Sequence, residues 1–431
     1  MHLNSTPVRI AVAGGNYGGL SAMRELYLQL LATGPGYDGT KQAPPNPNVK
    51  ITLIDRRDGF VHYLGMTRGL CRSEYGSKLW VPYSSMPWLQ HPSISVKKAI
   101  VTRIAPHHIE LADTSDHVDF DYLVVALGQS RNAPIGVAAS TRDEYLEDMD
   151  RQRSLIDGAQ SVVVVGGGAV GTELAAEIKS DYPEKEVTLI HSHSLPIHGP
   201  SFSSEFRHCV ADVFQSLGVK TLFGERVVSE SSADNSRIDT APKKHANILP
   251  ELVESVKRNT TLTTSLGSQV YGDVVFNCLG AKNKASLIDL LSSSDEPVFS
   301  FNGIRVNESM QVDDPAYSHI FAVGDVSNKD VLKFAGPASA GGRIAASNVV
   351  KLIRAPSGEA SALSAPSRKD VGAERTELGW IKLVLGERHA VIQRGAEVVP
   401  TDAAIHMMSP DIKLSKATRK LYIGTYPTHG K

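Results

Sequence analysis

Apolar residues along this chain gather into short β-branched runs that stop at glycine and give way to helical spacing. Val8-Arg9-Ile10-Ala11-Val12-Ala13 runs into Gly14-Gly15-Asn16-Tyr17-Gly18-Gly19, and apolar positions then recur at helical intervals from Leu20 to Leu31. The succession returns about 150 residues later, where Ser161-Val162-Val163-Val164-Val165 meets Gly166-Gly167-Gly168-Ala169-Val170-Gly171 and a helix opening at Thr172-Glu173-Leu174. Further strands are expected at Val49–Asp55, at Asp121–Gly128, at Glu186–His193, at Gly272–Gly280 and at His319–Val326. Thr33 to Asn48, rich in Gly, Pro and Asn, reads as a surface loop. Strands alternating with helices predict an α/β fold with parallel sheets.

The two glycine loops carry the first chemical signal. A dinucleotide pyrophosphate needs one Gly for a tight turn, one for close backbone approach and one for helix–strand packing, all at the open N-terminus of a helix. The second loop meets this at Gly166, Gly168 and Gly171. The first carries Asn16 at the middle position, and Asn is the non-Gly residue that best tolerates positive φ. Asp55 ends the second strand, where a carboxylate can accept ribose hydroxyls; an N-cap or a solvated turn is the alternative. Its distance from Gly14 is about twice the usual 20 residues, which the Thr33–Asn48 insertion explains. Gly128, Gly280 and Gly324 end strands where backbone can pass close to a cofactor, and Asp325 follows Gly324.

At the equivalent strand end of the second unit stands His191, followed by Ser192 and His193. An acid there would select NADH by bonding the 2′-hydroxyl and repelling a 2′-phosphate. Imidazoles tolerate the phosphate, so NADPH, or both reductants, is expected. No Arg stands at that strand end to clamp it, and the two histidines as plain loop residues are the other reading.

Composition narrows the classes. The 431 residues exceed one typical domain. With 45 basic and 46 acidic residues the net charge is −1, which gives nucleic acid no general electrostatic hold. Cys71, Cys209 and Cys278 lie far apart, form neither a C-x-x-C pair nor a metal cluster, and read as small buried apolar residues in a reducing compartment. No metal ligand set is apparent. Residues Met1–Pro7 are too short and polar for a signal peptide, and no apolar run approaches 18 residues.

The order of Gly motif, acid-ended strand, A-x-G strand, second Gly motif, x-G strand and Gly-Asp resembles the two-dinucleotide-binding-domain flavoproteins. Within them it is similar to apoptosis-inducing-factor-like oxidoreductases of the ferroptosis-suppressor branch, related to type II NADH dehydrogenases, over roughly residues 8–350. The resemblance implies two Rossmann-like FAD- and NAD(P)-binding domains plus a small C-terminal α/β domain. FAD would be held without a covalent link by residues 1–135 and 285–354, NADPH or NADH by 136–284, with a linker and interface domain over 355–431. It places Gly14, Gly15, Asn16, Gly18 and Gly19 around the FAD pyrophosphate, Asp55 at its adenosine ribose and Asp325 on its ribityl or pyrophosphate side. Gly166, Gly168 and Gly171 would flank the NAD(P)H pyrophosphate. Glu173 is the candidate that orients nicotinamide, its alternative being a helix-start acid stabilised by the dipole.

The implied activity is transfer of hydride from NAD(P)H to flavin and of electrons onward to a quinone-like or other small acceptor. Two rivals stay open: a non-enzymatic redox-sensing protein and a flavin monooxygenase. A thiol relay is excluded by the cysteine spacing. Lys333–Gly342 keeps the small residues of the type II quinone-side helix but lacks its Gln, and Lys333 and Tyr63 are conceivable acceptor contacts. After Arg354 the Ala, Ser and Pro of Ala355–Lys369 read as a linker, and Glu377–Gly386 with His389–Gln393 as a strand hairpin. The family's C-terminal domain mediates dimers or touches membranes. Basic residues among apolar ones in Asp411–Tyr422 make a peripheral membrane contact or a solvated helix. The expected setting is cytoplasmic, peripheral to a membrane or mitochondrion-associated, and the family's interface domain implies a homodimer as one arrangement.

Overall fold

The structure is a computed structural model and describes residues 6–32, 48–112, 116–129, 136–232, 256–280, 298–300, 303–329, 333–355, 363–365, 379–408 and 411–421. Fourteen strands and five helices position the sites. The first sheet takes β1 (Val8–Ala13), β2 (Val49–Asp55), β3 (Ile94–Lys98) and β4 (Tyr122–Val125). The second takes β5 (Ser161–Val165), β6 (Glu186–His191), β7 (Lys220–Phe223), β8 (Val227–Ser232), β9 (Val256–Thr264) and β10 (Gln269–Asn277). The chain then returns to the first sheet with β11 (Ile320–Ala322) and ends in a small sheet of β12 (Trp380–Leu385), β13 (His389–Arg394) and β14 (Glu397–Val399). The helices are α1 (Tyr17–Leu30), α2 (Met66–Cys71), α3 (Ala169–Asp181), α4 (Ala335–Arg354) and α5 (Leu414–Leu421).

The strand order of the first sheet is β11-β4-β1-β2-β3, all parallel. The second runs β7-β6-β5-β10-β9-β8, parallel around β5 with an antiparallel β8–β10 edge. Each glycine motif thus leaves the central strand of its own sheet. Such strands are covered on both faces, which is why they read as unbroken apolar runs: Val162 to Val165 are all buried. α1 buries Leu20, Met23, Leu26 and Leu30 against the first sheet and α4. The small residues of α4 permit that crossing, since a Cβ on Gly342 would lie 2.0 Å from the Gly18 carbonyl oxygen.

Several expectations shift by local chemistry. α1 starts at Tyr17, ahead of Leu20, because the Asn16 Oδ1 accepts the Tyr17 N–H at 2.8 Å and caps the helix. The insertion lies outside the described residues over 33–47. The linker does too, save Ala355 and 363–365, where the Ser364 N–H donates to Asn348 Oδ1 of α4 at 2.8 Å and the Asn348 Nδ2 donates to the Ser364 oxygen at 2.9 Å. The hairpin gains the third strand β14 beyond Gly395 at φ +60°. Among the described residues no helix is long and apolar enough to cross a membrane, and no cluster of three or more His, Cys, Asp or Glu could hold a metal ion.

Candidate dinucleotide-binding sites

At the end of β1 the chain turns at Gly14, φ +101°, where a Cβ would lie 2.2 Å from the Ala126 carbonyl oxygen. Gly19 closes the loop, and a Cβ there would come within 1.7 Å of the Gly14 oxygen. Only glycine fits at either position. Gly18 packs under Val323 and the start of α4, and its Cβ would meet them at 3.2–3.3 Å. Asn16 corrects an expectation. Its φ is −102°, so it supplies no positive-φ turn; the loop survives because Asn16 caps α1 and its Nδ2 donates to the Val61 carbonyl at 3.0 Å.

Asp55 has work inside the protein that its position alone did not reveal. It is buried, accepts the Gly15 N–H at 2.6 Å and the Arg57 N–H at 2.8 Å, and pairs with the buried Arg57 guanidinium at 3.2 Å. Burial alone would raise this carboxyl, but the Arg57 charge and these donors outweigh it and hold Asp55 below the usual carboxylate range. Tyr83 locks the same turn by donating to the Gly15 oxygen at 2.8 Å, and Arg57 reaches the Tyr63 hydroxyl at 2.7 Å. Beside this cluster opens a cavity of about 500 Å³ lined by Arg57, Asp58, Tyr83, Leu89, Val96 and Lys98. It opens beside the end of β2 and has room for a purine.

The second loop repeats the backbone. Gly166 turns at φ +112°, with a would-be Cβ 2.4 Å from the Cys278 oxygen, and a Cβ on Gly171 would lie 1.8 Å from the Gly166 oxygen. Gly168 has nothing within 4 Å of its Cβ direction, leaving open space before the N-terminus of α3. The Gly167 N–H donates to His191 Nδ1 at 3.1 Å, just as Gly15 donates to Asp55. Nδ1 is therefore the acceptor and the proton sits on Nε2, which is buried without a partner. Burial, with His193, His198 and Arg226 nearby, brings His191 down to about 4, so it is neutral at pH 7.

Glu173 lies where α2, α3 and β12 meet. Glu173, Glu177 and Asp181 form one face of α3, opposite Arg68 of α2 and Arg72, the residue that caps its C-terminus. Arg68 donates to Glu177 at 3.0 Å and to the Gly386 carbonyl at 2.9 Å, and Arg72 grips Asp181 at 2.8 and 2.6 Å. Burial, with the Glu177 charge beside it, pushes Glu173 up to about 8 against the opposing pull of the Val384 backbone and Arg68. Its carboxyl is therefore protonated at neutral pH. Sequence pointed to Glu173 for nicotinamide; the structure adds its seat against β12.

Gly128 and Gly280, at φ +71° and +88°, follow β4 and β10, and both have open space where a Cβ would project. Gly324, at φ +70°, and half-buried Asp325 form a turn against Ala338. Of the two conceivable acceptor contacts, Lys333 donates to the Ser327 oxygen at 2.6 Å and Tyr63 accepts from Arg57. Neither points from these bonds to an acceptor. The stretch before α5 is anchored: His62, buried beside the first loop, takes the Tyr17 hydroxyl at 3.1 Å and donates to the Ile412 oxygen at 2.9 Å, while Tyr75 donates to Asp411. Ile412 and Leu414 are buried, and Ser415, Lys416 and Arg419 are exposed. One face of the stretch is therefore already occupied by this protein's own core.

Two sheets, each parallel around a central strand that runs into a glycine loop, define a protein built to hold two dinucleotides. Residues 8–342 match the pyridine nucleotide-disulphide oxidoreductase family, and the chain belongs to it. Members use FAD and NAD(P)H, and the chain is an NAD(P)H-dependent flavin oxidoreductase. It is 29% identical over 352 residues to ferroptosis suppressor protein 1 of Mus musculus, covering 80% of this chain and 81% of the relative. Against apoptosis-inducing factor homolog B of Dictyostelium discoideum it is 25% identical, covering 83% and 84%. The fold also matches NDH2 of Plasmodium falciparum, solved in complex with NADH, with TM-score 0.64 at 11% identity over 96% and 97% of the two chains. The three cysteines of this chain are free and lie far apart in sequence.

Proposed function

We propose that the protein passes reducing equivalents from NAD(P)H through FAD to a small, quinone-like acceptor. In this reading 1–135 with 285–354 hold FAD, 136–284 hold the nicotinamide nucleotide, and 355–431 form an interface domain. The observation that carries it is the pair of matched loops, in which one backbone shape is set once against a carboxylate and once against an imidazole.

When bound, the nicotinamide supplies a hydride and the flavin accepts it and passes the electrons on. The chain's own residues bind and position. Gly14 with Gly19, and Gly166 with Gly171, keep side chains out of the turns so that backbone N–H groups and helix N-termini can face pyrophosphate. Asp55 and Arg57 fix the ribose end of the first site. Glu173 holds a proton on its carboxyl at neutral pH, between α3 and the C-terminal sheet. The absence of a cysteine pair supports direct delivery of electrons to a small acceptor.

The test is to identify the flavin that heat releases from one portion of the purified protein, and to follow NADPH and NADH consumption by a second, FAD-loaded portion with and without a soluble short-chain quinone. Turnover that depends on the quinone is the expected result. A reduced flavin that persists beside excess quinone contradicts the reading and favours a redox sensor.

A further inference from the structure

His191 cannot serve a nucleotide ribose as an acid would. A strand-end carboxylate accepts the 2′-hydroxyl, whereas the His191 acceptor atom is already bonded to Gly167 and its remaining Nε2–H is a buried donor without a partner. That donor matches an anionic oxygen. The loop after β6 adds more donors. Ile197 donates to the Gly167 oxygen at 2.7 Å, which folds the loop back so that the His198 and His193 rings stack at 3.5 Å, with His193 and His191 5.3 Å apart.

A cation reaches the same place from another strand. The turn after β7 is tied to this loop by Gly224 N–H to the His193 oxygen at 2.9 Å and Glu225 N–H to the His191 oxygen at 3.0 Å. Arg226 is the next residue, exposed, and its charge bears on both His191 and His193. No carboxylate among the described residues pairs with it. The neighbouring Glu225 is buried and occupied by the Thr264 hydroxyl. Arg207, which also bears on His193, donates to the Gly199 and Phe202 carbonyls.

We infer that Arg226, with His193, His198 and the Nε2–H of His191, forms a site for the 2′-phosphate of NADPH. The inference rests on the nicotinamide reading of the second loop and names the reductant that this loop selects. It supplies the arginine that the sequence around His191 lacks, delivered by the β7–β8 turn. A dianion meets donors from four side chains and no free acid there, and a guanidinium can grip it with two parallel bonds.

The experiment uses the FAD-loaded protein at one ionic strength. Calorimetric titration with adenosine 2′,5′-bisphosphate and with 5′-AMP is combined with kcat/KM for NADPH and NADH, for the wild type, Arg226→Ala and Arg226→Lys. The wild type should bind the bisphosphate more tightly than 5′-AMP, and Arg226→Ala should cut that ratio, and the NADPH/NADH ratio, about tenfold to a hundredfold. Arg226→Lys should restore part of it, because it returns the charge without the fork. Equal binding of the two nucleotides by the wild type, or an equal loss for both in Arg226→Ala, overturns the 2′-phosphate site. If NADH and 5′-AMP also fail to bind, the nicotinamide reading fails first and takes this inference with it.

Discussion

The loops at 14–19 and 166–171 share one backbone and differ in what closes it. Both begin at a glycine with φ above +100° and end at a glycine whose Cβ would strike the first carbonyl within 1.8 Å. In both, the N–H of the second glycine is bonded to the side chain ending the neighbouring strand, at 2.6 Å to Asp55 and 3.1 Å to His191. The first loop thus carries an anion with its own buried arginine, and the second a neutral ring among donors. Shape is repeated and polarity is not. In the proposed function the loop shape holds a dinucleotide and the residue on the next strand chooses which one.

The comparison breaks most severely at the shared glycine. Gly171→Val places a branched side chain where a single Cβ already sits 1.8 Å from the Gly166 oxygen, so flavin reduction by NAD(P)H should be abolished while FAD stays bound. Stopped-flow absorbance reads the first and released FAD the second. Loss of FAD together with reduction would show that the two loops do not serve separate sites.

Next is the carboxylate of the first loop. Asp55→Ala leaves Arg57 buried without its counter-ion and Gly15 without its acceptor, which should cost about 3–5 kcal/mol of stability and loosen FAD. Denaturant midpoints and FAD dissociation measure both, and unchanged values would reduce Asp55 to a turn residue. Converting the second loop to the polarity of the first is milder. His191→Glu keeps an acceptor for Gly167 but adds a like charge toward a 2′-phosphate, so NADPH should lose about tenfold to a hundredfold in kcat/KM relative to NADH. An unmoved preference would place the ribose elsewhere.

The smallest effect lies on the helix after the second loop. Folded Glu173 ionises near 8 against 4.5 for an ordinary glutamate, so between those pH values the folded protein holds a proton that the unfolded chain has lost. Stability contributed there falls as pH rises through that window. Glu173→Gln should shrink the drop in Tm between pH 5 and pH 8, and an unaltered drop would remove Glu173 as its source.

What the sequence made legible was local. β-branched runs ending in glycine located β1 and β5, and apolar runs ending in a polar residue located β2, which stops at Asp55 as expected, and β6, which stops at His191, two residues short of the expected His193. The glycine spacing also located both turns, because a Cβ is excluded there by the chain's own neighbouring backbone. Partners that arrive from distant strands were not legible. Arg226 follows His191 by 35 positions and is brought to it by β6–β7 pairing, and the His62 bond to Ile412 spans 350. The Asn16 expectation failed for a different reason: the residue type allowed two roles, positive φ or a helix cap, and the Tyr17 N–H decided between them. The ladder between α2 and α3 depends on two helices crossing in register, which neither segment announces alone.

The central claim is that one chain holds two dinucleotides at two loops of like shape, one reducing the other. Anaerobic titration of the purified yellow protein with NADPH, followed by visible absorbance, tests it most directly. One equivalent of reductant per bound FAD should bleach the flavin, and Gly171→Val should retain the colour and resist bleaching. A protein that neither carries nor takes up FAD, or a flavin that NADPH and NADH both leave oxidised, would contradict the account.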